Sequence, residues 1–467
     1  MLKNCLLATS ALVAAFAVAA PAHADSGNLS LADRVRILEN ELEKSKDYQQ
    51  DMRTRLTTLE SNAKDVQWSY SNGRPTIKSG DGRFKLAFRA RLHFDYANYM
   101  QNGGSKALES GTVTRRFYFG VEGNVFKDFD YELRFNLGGS DNDGSSNLNI
   151  ARVAYVGVPH FKVNVGVLQP IFTLDDATSS NDLLFLERAA VVGMLPGTFG
   201  GSDSRRGVEL TFQHEDLLYP GDNMIVSGAF TGNRTGKSSH SATNDEQQAI
   251  LGRLAYRVWS DGDSNIQFGG SGSKVLEVGG ANGGVKSIKF SSGAETSVDS
   301  TSLVSVSVSG DNAWTYGAEA GANFKNFYVQ GEYYRFGADA YTGSDPDFYG
   351  WYVQTSWIIT GEKKGYAAKG GSNSIGVWGS PKVVKPFSPA SGSWGALELK
   401  ARYSVLDLND YSAGYNGGVL TSVGGGLNWY LNNNIRMMFD YSYVDSDSPS
   451  TGDTDINIFQ SRLSFAF

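Results

Sequence analysis

The sequence predicts an all-β fold, a transmembrane antiparallel β-barrel of about sixteen strands, preceded by an N-terminal α-helical coiled coil. Three observations carry this. The chain ends on a strand with unlike faces, similar segments recur along residues 83–467, and the connections between them alternate between long and short.

Counting back from the C-terminus, Phe467, Phe465, Leu463, Ser461 and Phe459 form one mostly apolar row, and Ala466, Ser464, Arg462 and Gln460 form the other. That is the period of a strand. An aromatic end on the apolar face suits the closing strand of an outer-membrane barrel, which meets lipid on one side and a polar lumen on the other. The barrel-assembly machinery is expected to recognise that end, and outer-membrane lipid and lipopolysaccharide are the expected surroundings.

The composition agrees. Mean hydropathy is −0.30 and apolar content 40%, too polar for a bundle of membrane helices, whereas aromatics reach 12% and glycines number 55. Residues 1–24 combine Lys3, the apolar run from Cys5 to Ala20 and the small-x-small end Ala22-His23-Ala24, which predicts a cleaved secretory signal. The one cysteine, Cys5, falls inside it, so the mature chain is expected to have no disulfide and no thiolate chemistry. Without Lys3 the chain has 41 basic and 49 acidic side chains, and this mild acidity argues against nucleic acid as a partner. No later apolar run is long enough to cross a bilayer as a helix, so entry into a membrane requires strands.

Between 29 and 66, Leu31, Val35, Leu38, Leu42, Ser45, Gln49, Met52, Leu56, Leu59, Ala63 and Val66 follow one another in steps of four and three. This heptad pattern, with Ser30 as N-cap, predicts a periplasmic coiled coil that helps hold an oligomer, expected to be a homotrimer. The alternative is one amphipathic helix docked on the rest of the chain. Residues 67–82 read as a linker.

From residue 83 the period becomes two. Phe84, Leu86, Phe88, Ala90, Leu92, Phe94 and Tyr96 alternate with Lys85, Ala87, Arg89, Arg91, His93 and Asp95. Further two-faced segments follow near 116–122, 129–136, 148–157, 161–168, 205–213, 223–231, 249–259, 264–273, 313–324, 326–337, 347–359, 395–405, 419–430, 433–444 and 455–467. Odd-numbered connections are long and even-numbered ones mostly tight, such as Val158-Pro159-His160, as in barrels with short periplasmic turns and long outer loops. The misfit is 360–394, either an insertion on the short-turn side or a sign that the strand count is off by two. A barrel of this size leaves an aqueous channel.

At this point the sequence resembles the phosphate-selective porin O and P family of Gram-negative outer membranes. The matching stretches are F-R-A-R-L-H-F-D-Y (88–96), T-R-R-F-Y-F-G (114–120), A-T-S-S-N-D-L-L-F-L-E-R (177–188), G-W-Y-V-Q-T-S-W-I-I-T-G-E (350–362) and R-L-S-F-A-F (462–467). The resemblance implies a trimer of channels, each narrowed by an inward-folded third loop and lined by basic residues that guide anions. It also implies a lysine just before A-T-S-S in members that select phosphate. Here that position is Asp176, a carboxylate that repels phosphate, whereas Arg188 matches the arginine of L-E-R.

The third long connection, 169–204, is the expected constriction loop, with Asp175, Asp176, Asp182, Glu187, Arg188 and Asp203. On the polar faces of the strands, Arg89, Arg91, Arg116, Arg134, Arg152, Lys162, Lys400 and Arg402 form an expected basic track, with Asp95, Glu122, Asp130, Glu132 and Glu398 interleaved. The histidines lack metal-ligand spacing and no Ser-His pair is recognisable, so neither metal, cofactor nor enzymatic activity is expected. The reading is a weakly selective passive channel for small ions and hydrophilic solutes. An anion- or phosphate-selective channel and a structural tether built on the coiled coil are its alternatives.

Overall fold

The structure, a computed structural model, describes residues 30–64, 66–71, 73–138, 147–202, 204–235, 244–281, 284–369 and 374–467. The expected signal, 1–24, and Asp203 lie outside the described residues. The chain divides into two units, one ending at Asp65 and the other beginning at Val66.

The first unit is helix α1, Leu31–Lys64. Ser30 caps it, its Oγ accepting from the Asp33 backbone N–H at 3.2 Å. The heptad row is open along the helix, with Leu38 at 63% and Leu42 at 56% exposure.

The second unit is a closed antiparallel barrel of sixteen strands. They are β1 Phe84–Gly103, β2 Gly111–Val125, β3 Phe129–Asn136, β4 Asn147–Tyr155, β5 Phe161–Leu168, β6 Arg205–Glu215, β7 Asn223–Arg234 and β8 Gln248–Ser260. There follow β9 Asn265–Glu277, β10 Val304–Phe324, β11 Phe327–Ala340, β12 Asp347–Ile358, β13 Ala396–Asp410, β14 Tyr415–Tyr430, β15 Ile435–Asp447 and β16 Thr454–Ala466. Each pairs with its neighbour in sequence, and β16 closes on β1 with Arg462 opposite Asp95. Closure leaves no free edge in lipid. The apolar rows face outward, and at the short-turn rim aromatic rings pair across strands. Phe327 stacks on Trp357 at 5.7 Å and Phe161 meets Phe212 at 5.2 Å, a girdle of the kind that marks a membrane interface.

Three insertions enter the lumen. The first is the third long connection, 169–204, with short helices α2 Leu174–Ala177 and α3 Ala190–Thr198. Its Phe172, Leu174, Val191, Leu195 and Phe199 are fully buried. The second is the fifth long connection, 278–303, whose segment Ser287–Ser292 pairs with the start of β10 and packs Phe290 on Phe199 at 6.0 Å.

The third insertion resolves the misfit at 360–394. The strand count stands at sixteen, and the stretch between β12 and β13 is an insertion on the short-turn side. Its strands Lys364–Tyr366 and Trp378–Pro381 pair, and Ile375, Val377 and Trp378 pack with Ile171, Leu174 and Ala177 of the third connection. Residues 67–82, read from sequence as a linker, also hold structure. Gln67–Ser71 and Arg74–Lys78 form a hairpin whose second strand pairs with β1 at Thr76–Ala87, Ile77–Leu86 and Lys78–Lys85. It fills the edge left vacant there, because β16 reaches only as far as Arg91 and the terminal Phe467 bonds no further than Ala90.

Candidate functional site

Inside the barrel lies a continuous space of about 1000 Å³. Asn433 and Asn434 of a short turn and Arg74 of the N-terminal hairpin line one end of it; Asp299 and Ser300 of the fifth connection and Thr235 beyond β7 line the other. It therefore runs from the short-turn rim to the long-loop rim. Nine arginines and six acidic side chains line it.

One wall is β1 to β4. Tyr118 lies between Arg91 and Arg134, whose guanidinium carbons are 5.5 and 4.9 Å from its ring centre. Arg89 bridges Glu122 at 2.7 Å and Glu132 at 2.9 Å, and Glu132 also takes Arg152 at 3.2 Å and Arg134 at 3.4 Å. One carboxylate thus serves three guanidiniums. Strict alternation would point Arg115 at lipid, but a register shift between His93 and Phe94 leaves it an extra residue on β2. This bulge turns Arg115 and Arg116 both inward.

The facing wall is the third connection, held by its charges and its main chain. Glu187 accepts from Arg115 Nε at 3.0 Å, Arg116 Nη1 at 3.2 Å and Arg462 Nη2 at 2.7 Å. Burial alone would raise its carboxyl, but the three guanidiniums hold it well below the usual carboxylate range. Arg188 turns back on its own loop and donates to the carbonyls of Asp175, Asp176 and Thr178 at 2.8, 3.2 and 2.9 Å. Arg91 reaches across from β1 to Ser180 and, at 2.9 Å, to Ser179 of the A-T-S-S run. Among the described residues Arg91 has no carboxylate within ion-pair distance.

The sequence-predicted residues therefore separate into groups. Arg89, Arg91, Arg116, Arg134 and Arg152 line the channel, as do Asp176, Asp182, Glu187 and Arg188. Asp175 instead turns into the barrel wall, its backbone N–H on Glu332 at 2.9 Å and its carboxylate accepting from Gln330 at 3.2 Å; burial pushes its carboxyl up. Lys162 is buried outside the channel lining.

Lys400 and Arg402 also lie off the channel, under the third connection, and their role there is to satisfy backbone. Segment 183–187 has no helix or strand partner to donate to its carbonyls. Arg436 donates to Leu183 O at 3.0 Å, Lys400 to Leu184 O at 2.9 Å, Arg462 to Leu186 O at 2.6 Å and Arg402 to Glu187 O at 2.9 Å. Four cations of β13 to β16 thus replace a missing backbone ladder. Arg402 also holds Glu295 of the fifth connection at 2.6 Å.

Sequence reasoning missed Arg74 and the inserted hairpin as parts of the lumen. Arg74 pairs with Glu122. The hairpin is fixed by Arg253, which donates to Ile375 O and Gly376 O at 3.1 and 2.8 Å, and it meets the third connection where Ser380 N donates to Asp182 at 3.0 Å.

A closed barrel with a charged lumen lined from one rim to the other defines a passive outer-membrane channel. The profile of the phosphate-selective porin O and P family matches residues 84–467, and the chain belongs to that family. It is 24% identical to Porin O of Pseudomonas aeruginosa, over 85% of this chain and 92% of that one. It is 25% identical to an uncharacterized protein of Caulobacter vibrioides, over 86% of this chain and 77% of that one. Among solved structures, the outer-membrane protein OmpT of Vibrio cholerae superposes with a TM-score of 0.51 at 12% identity, covering 82% of this chain and 98% of that one.

Proposed function

We propose a weakly selective channel whose lumen favours small anions over cations. The observation that carries this is the imbalance of the lining, nine arginines against six acidic side chains along one rim-to-rim space. Low-dielectric walls concentrate the field of such an excess and raise the local concentration of the opposite charge. Selectivity stays weak because most guanidiniums share a carboxylate. A dedicated phosphate site is not expected, since the position just before A-T-S-S, where the resemblance implies a lysine in phosphate-selecting members, holds the carboxylate Asp176. The channel works as a homotrimer in the outer membrane, with α1 in the periplasm as a coiled coil.

Phosphate titrated against chloride current through single channels tests the reading. Block only at concentrations comparable to chloride is expected, and Asp176→Lys should deepen it. Strong block of the unaltered protein by micromolar phosphate would overturn weak selectivity.

A further inference from the structure

We propose that α1 joins copies of this chain as a parallel coiled coil in exact register, encoded by charges that flank its apolar row. The inference rests on the reading of an oligomeric porin. With Val35, Leu42, Gln49, Leu56 and Ala63 as a positions and Leu38, Ser45, Met52 and Leu59 as d positions, the residues before each a and after each d border the seam. In a parallel pair each residue before an a faces the residue five places later on the neighbour.

Every such pairing is complementary. Arg34 faces Glu39, Glu41 faces Lys46 and Arg55 faces Glu60, while Tyr48 faces Arg53, which suits a cation over a ring. A slip of one heptad in one direction puts Arg34 against Lys46. A slip in the other puts Glu41 against Glu39 and Arg55 against Arg53. Zero offset is thus the register without a like-charge contact among these three, and it also stacks the polar layers Ser45 and Gln49 on their own copies. These charges have little else to bind. From Leu31 to Ser61 the residues of α1 are exposed apart from Asp33, which is half-buried, and among the described residues one ion pair lies within the helix, Arg55 to Asp51 at 2.9 Å.

Membrane insertion supplies the direction. Barrels in one membrane share an orientation, so the C-terminal ends of their helices start from the same side. The occupant of the open heptad row is therefore another copy of α1 running the same way.

The test uses the full-length chain with Leu38→Cys, mild oxidation and a non-reducing gel. The cysteine should link to its own position on a neighbour. When chains bearing Leu38→Cys are mixed with chains bearing Leu56→Cys, the mixed product should be scarce, whereas an antiparallel pairing would make it dominant and overturn the proposal. In the Leu38→Cys background, Glu41→Lys should lower linking several-fold and Glu41→Lys with Lys46→Glu should restore it. A loss that the double change does not restore would overturn the register. Absence of linking in a preparation that still conducts as a channel would also refute the coil while sparing the porin reading; absence of conductance would strike that reading instead.

Discussion

Replacing Arg91 by Gln removes one positive charge from the channel wall without breaking an ion pair. The lost contacts are hydrogen bonds to Ser179 and Ser180, which glutamine can partly remake, and the placement of the guanidinium over the Tyr118 ring, which it cannot. An anion passing roughly 8 Å from the guanidinium gains about 2 kcal/mol at an effective dielectric of about 20. A Debye length of about 10 Å in 0.1 M salt reduces this to roughly 1 kcal/mol, or about fivefold in relative anion occupancy. At 1 M salt, with a Debye length of about 3 Å, roughly 0.1 kcal/mol remains. Reversal potentials of Arg91→Gln channels in KCl gradients should therefore lose anion preference several-fold at low salt and almost nothing at high salt. An equal change at both salt concentrations would refute a through-space charge effect and point to a displaced third connection. No change at either would remove Arg91 from the selectivity of the channel.

Glu187→Gln should leave Arg115 and Arg116 without their shared carboxylate, at a cost of roughly 3–5 kcal/mol for an opened buried pair, read as a lowered heat-dissociation temperature on gels. Because the Glu187 carboxyl is held well below its ordinary range, its contribution is present above the usual carboxylate pKa and is lost only as pH falls through the depressed value. Single-channel conductance should accordingly pass through the ordinary carboxylate range without a step from this clasp, and a step at the usual glutamate pKa would contradict it. Trp378→Ala opens a cavity worth roughly 3–5 kcal/mol beside the third connection. It should loosen the inserted hairpin and raise current noise, whereas a quiet channel would show that the hairpin does not brace the loop. Deletion of 29–66 should weaken the oligomer on native gels while the barrel still inserts.

The strands were legible because lipid on one face and water on the other impose a period of two on the strand segments between Phe84 and Ala466. The third connection was legible by its length and its charges. What stayed hidden follows from contacts far apart in sequence. Nothing around Arg115 announces the bulge that turns it inward, since the signal is a one-residue offset against His93 on the neighbouring strand. Lys400 and Arg402 carry the same polar-face pattern as Arg89 and Arg91. Which of them line the channel is decided by where 183–187 lies across the wall. Hairpin 67–78 is too short, and rests on too few residues of β1, to show a period of its own. The inserted hairpin at 364–381 appeared only as excess length. Its buried Ile375, Val377 and Trp378 mark it as a packed element, but the sequence does not say that the surface they meet is inside the barrel.

Recording the reversal potential of single channels in a tenfold KCl gradient at low ionic strength tests the central claim most directly. An arginine-rich lumen predicts a modest potential of the sign that chloride carries, shrinking as salt rises. A potential of the cation sign would contradict the account.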